Sequence, residues 1–292
     1  MKKKYKPESS HYILPADAKI ASAPVLSEIL ENIRSSVSSE ITVDLSKVYW
    51  ISPFTACWFA ALIETCTNEN KRLITISPQR ENAEHQWINL GIAHYLDPKA
   101  PKSVESRYST FPVTRLTEPS YPLAGQVTRL LTEKLRGVEN FHKALHFAIR
   151  EVIENTFEHG QTDHCFMCAY SVPSRQVVRL CILDTGIGIP NSMRTSQKYS
   201  SITEDHQLIE SASEYGVSSK SADRGIGLYV MRDVTQKNEA QLTILSGKAK
   251  IDITKSIKCS ELTTSFRGTA IELMLRTRQN FQYLTVSDWE AI

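Results

Sequence analysis

A chain of 292 residues, 41% apolar and 23% charged, has the composition of a globular protein with one large or two ordinary domains. Its net charge of +2 gives no field that would hold it on nucleic acid or a membrane surface, and no apolar run approaches the roughly 20 residues needed to span a bilayer. Six scattered cysteines, mostly in apolar contexts, indicate reduced, cytoplasmic usage rather than a disulfide framework.

The basic start, MKKKYKPESSHYILP, lacks an apolar h-region and reads as a frayed tail rather than a signal peptide. APVLSEILENIRSSV has helical spacing. ITVDLS (41–46) and RLITIS (72–77) read as strands around a helix, SPFTACWFAALIETCTNEN, that spaces Phe54, Trp58, Ala61, Leu62 and Cys66 helically. NAEHQWINLGI (82–92) reads as a short amphipathic helix. This alternation predicts a small α/β domain over 1–97. Five prolines between Pro98 and Pro122 predict a linker over 98–122. A second unit then spans 123–276, with a C-terminal tail over 277–292.

The second unit opens with a helix, Leu123 to Gly137, and a longer one, Glu139 to Gly160, with glycine as its stop. Along the longer helix Phe141, Leu145, Ala148 and Val152 form an apolar stripe. Glu151, Asn155 and His159 form a polar one, each step of four advancing about 40°. CFMCAYSV and QVVRLCILD read as strands around a PSR turn. Cys165 and Cys168 have metal-like spacing, but on a strand such residues point to opposite faces. A buried thiol pair is therefore the better reading.

The second strand ends in CILDTGIGIP, which has two readings. Asp-Thr-Gly after an apolar run is how an aspartic protease presents its carboxylate. Asp-x-Gly-x-Gly is how one class of ATP site presents an adenine-reading carboxylate. A protease needs a second such motif or a homodimer sharing one, and this chain has no second copy. It also leaves unexplained Gly188, the Glu151/Asn155 stripe, and DRGIGLYVMRDVTQ, where Gly225 and Gly227 precede a helical pattern suited to binding phosphate. RGTAIELML places Gly268 and Thr269 at the start of an alternating strand. The serine-rich stretch from Asn191 to Arg224 reads as a lid that orders only over nucleotide.

Four motifs in order, Glu-x3-Asn-x3-His, Asp-x-Gly-x-Gly, Gly-x-Gly-Leu and Gly-Thr before a strand, resemble the GHKL superfamily (gyrase, histidine kinase and MutL-type ATP-binding domains) over Leu123 to Arg276. EVIENTFEHG is most similar to the anti-sigma-factor serine kinase branch. The resemblance implies a two-layer α/β sandwich, the Bergerat fold, that binds ATP with Mg²⁺. It implies that Asp184 accepts from the adenine amine and that Thr269 supports the base through water. Gly186 and Gly188 would shape the turn into the lid. Asn155 would ligate Mg²⁺. Glu151 would act as general base, or else as a second carboxylate ordering the metal's waters. His159, Lys220, Arg224, Gly225, Gly227 and Leu228 would lie along the phosphates.

The first unit, on ITVDLSKVYWISPFTACWFAAL and NLGIAHYL, resembles a STAS domain of the anti-sigma-factor-antagonist type. Phosphorylated members carry Asp-Ser-Ser-Gly at the helix start. Here Ser52, Pro53, Phe54 and Thr55 stand there, so the resemblance implies an interaction module without the phosphorylation switch, Ser52 and Thr55 capping the helix. A sensor histidine kinase is disfavoured, because the Leu123–Gly137 helix holds no histidine. The expectation is an intracellular regulatory protein in which nucleotide binding and lid closure control interactions with a protein partner (STAS-like, sigma-factor-like or other regulatory protein), with no nucleic acid or membrane as partner. A homodimer, slow hydrolysis, serine kinase activity, a conformational ATPase and a silent nucleotide sensor all stay open.

Overall fold

The computed structural model describes residues 10–104, 109–133, 139–217, 226–238 and 240–277. The N-terminal part runs β1 (His11–Ile13), β2 (Asp17–Ala18), α1 (Ala23–Ser35), β3 (Glu40–Asp44), β4 (Trp50–Ile51), α2 (Pro53–Asn68), β5 (Arg72–Ile76), α3 (Glu81–Asn89) and α4 (Ile92–Leu96). Strands β1, β3 and β5 form a parallel sheet in the order β1-β3-β5, and β2 pairs with β4. The expected strands and helices are present. The two-residue β2 and β4 are too short to leave a period-2 signal.

The remainder runs β6 (Ser109–Leu116), α5 (Tyr121–Thr132), α6 (Glu139–His159), β7 (Cys165–Val172), β8 (Val177–Asp184), α7 (Gly188–Arg194), α8 (Asp205–Ala212), α9 (Gly227–Lys237), β9 (Gln241–Ile253) and β10 (Ile257–Arg276). Its five strands form an antiparallel sheet in the order β6-β7-β8-β10-β9. The protein is α/β, as its patterning indicates.

Two expectations change. The window 98–122, whose prolines suggest a linker, contains β6, an edge strand of the sheet. Pro112 sits where the β6–β7 register shifts between Phe111 and Thr114, the edge-and-bulge setting in which a residue without an N–H is tolerated. Gly268 and Thr269 do not begin a strand. They lie inside β10, at a bulge against β9 between Phe266 and Thr269.

Both faces of the five-stranded sheet are covered. On one face Phe141, Leu145 and Ile149 of α6 pack with Met167, Leu180 and Ile182. On the other, Phe54, Trp58 and Phe59 of α2 share a core with Phe166, Leu183 and Phe266. Cys165 and Cys168 fall in opposite cores, as their spacing on a strand requires. Helix α2 is buried at every position from Pro53 to Leu62, because it is enclosed between its own sheet and the larger one. An all-round apolar helix is stable only in such a position.

Polar contacts seal the same junction. Glu64 of α2 accepts from Arg115 Nε at 2.6 Å and Tyr95 Oη at 3.1 Å, and pairs with His164 Nε2 at 2.8 Å. The Arg175 guanidinium lies 4.2 Å from the Trp50 ring centroid, and Trp50 meets Tyr170 edge-on. Glu272 of β10, 3% exposed, pairs with Arg179 at 3.0 Å. It also accepts from the Phe54 N–H at the start of α2, where a helix favours negative charge. Burial raises the Glu272 pKa, and Arg179 and the Phe54 N–H oppose that shift. Arg179→Ala removes the counter-charge, which is strongly destabilising for a buried pair, by about 3 kcal/mol. Thermal unfolding will show a larger loss at pH 8 than at pH 5, because a lone buried carboxylate is tolerated only when protonated.

Candidate nucleotide site

The acidic end of β8 is positioned by backbone groups that only glycine admits. The Gly186 N–H donates to Asp184 Oδ1 at 2.8 Å, and the Ile187 N–H donates to the Gly160 carbonyl at 2.8 Å. A Cβ on Gly186 would run into that carbonyl, so the turn is clamped to the end of α6. Gly188 has φ +79°, and a Cβ there would stand 2.6 Å from Ser246 Oγ and 2.8 Å from the Gly268 carbonyl. Ser246 Oγ fixes this approach: it accepts from the Ile189 N–H at 2.9 Å and donates to the Gly268 carbonyl at 2.8 Å. Its oxygen also lies 3.2 Å from Thr269 Oγ1.

These constraints open a cavity between α6, the end of β8, α7 and α9. Of the sequence-derived residues, Asn155, His159, Asp184, Gly188, Leu228 and Thr269 line it. The polar stripe of α6 is therefore split: Asn155 and His159 face the cavity. Glu151, a turn earlier, is not among the lining residues and meets Gly227 at the start of α9, where a Cβ would collide with its own. Gly186 lies on the far side of the turn. Lys220, Arg224 and Gly225 lie outside the described residues.

Asp184 is 4% exposed and pairs across the sheet with Cys165 and Thr269. Burial pushes its carboxyl up to about 7, against the N–H groups of Gly186 and Thr269, which favour the charged form. A buried acceptor at the foot of an apolar slot recognises a ligand that brings a donor and apolar surface together. The slot walls were not identified from sequence: Val152, Ile189, Met193 and Ile271 look like ordinary core positions. Ser246 belongs to none of the motifs read from the sequence.

The stretch expected to order only over nucleotide is folded over its described part, 191–217. Helices α7 and α8 enclose a small core of Met193, Tyr199 and Leu208. Arg194 pairs with Asp205 at 2.6 Å, and Asp205 accepts the Lys248 N–H at 2.7 Å. The apolar positions of this core are few and widely spaced, which is why the sequence reads as a loop.

Residues 141–279 match the family described as histidine kinase-, DNA gyrase B-, and HSP90-like ATPase. The chain therefore carries a GHKL-type nucleotide-binding domain there, and the cavity lies inside it. No curated protein matches the chain. Among the described residues no helix is long and apolar enough to cross a membrane.

Proposed function

We propose that this is an intracellular Mg-ATP-binding regulatory protein, in which nucleotide occupancy and closure over the cavity control binding to a protein partner. The observation that carries the reading is Asp184, a buried carboxylate at the foot of an apolar cavity, aimed where an adenine amine would donate. A guanine ring would present a carbonyl to it instead. Thr269 and Ser246 offer hydroxyls beside it. Asn155 supplies an amide oxygen on the cavity wall. Among the described residues no cluster of three or more His, Cys, Asp or Glu side chains could hold a metal alone. One protein oxygen suits Mg²⁺, which keeps waters and takes its remaining ligands from phosphates.

Glu151 decides between binding and turnover. Its place against Gly227, off the cavity wall, favours a nucleotide-gated interaction module over an ATPase or serine kinase. In the N-terminal unit, read as STAS-like, Ser52 Oγ accepts from the Thr55 N–H at 3.3 Å, and Thr55 Oγ1 donates to the Ala18 carbonyl at 2.5 Å. Both residues are buried with Pro53 and Phe54. That supports a fixed structural cover for the sheet rather than a phosphorylation switch.

The γ-phosphate distinguishes these readings. Incubated with γ-labelled ATP and Mg²⁺, the protein alone should retain ATP and release little phosphate, with Glu151→Ala indistinguishable from wild type. Rapid phosphate release lost in Glu151→Ala would establish an ATPase. Label on protein would establish a kinase and identify its acceptor.

A further inference from the structure

A second site lies on the opposite side of the Asp184–Gly186 turn, at the junction of the N-terminal unit and the large sheet. Three cavities meet there, and Thr185 and Arg267 border all three. The largest opens towards solvent past Gln161, Asn191 and Phe266. The two smaller ones lead inward to Arg34.

The inner walls carry chemistry that the surrounding protein leaves incomplete. Ser27 and Arg34 lie two helical turns apart on α1, so both can face one cleft. Ser27 is 3% exposed, lines the smallest of the three, and its Oγ has no hydrogen-bond partner. Buried hydroxyls are almost always satisfied, so an orphan at a cavity wall calls for a partner. Arg34 makes a 3.7 Å contact with the exposed Glu31. Arg267 comes from β10, and among the described residues no carboxylate is paired with it. The two guanidiniums oppose one another: burial lowers the Arg34 pKa and the nearby Arg267 charge lowers it further, against Glu31 and Glu69, which raise it.

The carboxylates at the cleft are already engaged. Glu64 is held by Arg115, His164 and Tyr95, and Glu69 lies 4.0 Å from Lys71. What remains is two cations and the hydroxyls of Ser27, Thr185 and Ser265.

We propose that this cleft binds a phosphoryl group carried by a small molecule, with Arg34 and Arg267 as its cationic clamp and Ser27 as a hydroxyl partner. A monocarboxylate neutralises one guanidinium and leaves the other opposed. A phosphate dianion neutralises both and offers several oxygens to guanidinium forks and hydroxyls. The outer groove provides room for the rest of the ligand. The site uses no residue that lines the nucleotide cavity, so it stands whether or not that cavity takes ATP.

The test is calorimetric titration of inorganic phosphate into the full chain at constant ionic strength, with and without a saturating non-hydrolysable ATP analogue. One saturable site is expected, retained in the presence of the analogue and not competed by acetate. Arg267→Gln should weaken it at least tenfold. Arg267 is exposed, so that variant should fold, as circular dichroism will confirm. Ser27→Ala should weaken it several-fold. Absence of saturable phosphate binding, equal binding by Arg267→Gln, or displacement by the ATP analogue would each overturn the proposal.

Discussion

Asp184→Asn should lose ATP affinity by about 100-fold while making the ligand-free protein more stable at neutral and alkaline pH. The two effects have one origin. A hydrogen bond to a charged acceptor contributes about 1.5–3 kcal/mol, and two powers of ten in affinity correspond to about 2.7 kcal/mol. The same buried charge costs the empty protein. The Asp184 pKa is raised from 3.8 to about 7, so the native state holds a proton that the unfolded chain releases. Its contribution to stability is present in full below pH 4 and is lost as pH rises through 7. Removing the ionisable group should therefore stabilise the variant by on the order of 1–3 kcal/mol at pH 8 and flatten its stability between pH 4 and 7. In the wild type, ATP binding should weaken as pH falls below 7, because protonation removes the charged acceptor. Thermal unfolding and titration across that range check both signs. A variant with lower stability at pH 8 would mean that Asp184 is held by contacts worth more than its desolvation.

A chain shortened to begin at residue 105 should fail to give a soluble, monomeric ATP-binding domain, although it retains every motif of the nucleotide site. The reason is the second face of the sheet. Phe166, Cys168, Tyr170, Leu183 and Phe266 are each less than 5% exposed and share a core with α1 and α2. Deleting the N-terminal unit uncovers them together and strips Glu272 of the Phe54 N–H. Exposed apolar patches of more than a few hundred Å² lead to association. Expression followed by size-exclusion chromatography reads the outcome. A well-folded monomer would mean that the N-terminal unit is a detachable module rather than a layer of the fold.

This continuity of core was partly present in the sequence and was not drawn from it. CFMCAYSV is apolar at nearly every position, which a strand needs only when both its faces are buried. PFTACWFAAL is apolar all round, which a helix needs only between two layers. Read locally, each segment identifies its element. Read together, they require a partner for the face that the ATPase helices leave open. The prolines of 98–122 obscured the link, because an edge strand with a bulge has the composition of a linker.

The nucleotide site divides along similar lines. Asp184, Asn155 and Thr269 were legible because their chemistry demands polar types at set spacings. The apolar slot was not, since Ile189, Met193 and Ile271 are indistinguishable from core until the backbone bends around them. Glu151 follows the same stripe, and the close approach of α9 at Gly227 meets its Cβ, away from the lining of the cavity.

The most direct test of the account is calorimetric titration of the full chain with ATP and with GTP in the presence of Mg²⁺. The buried acceptor at Asp184 predicts one ATP per chain and GTP at least about 100-fold weaker, since guanine sets a carbonyl against the carboxylate where adenine sets a donor. Equal affinities, or no ATP binding by the folded protein, would contradict it.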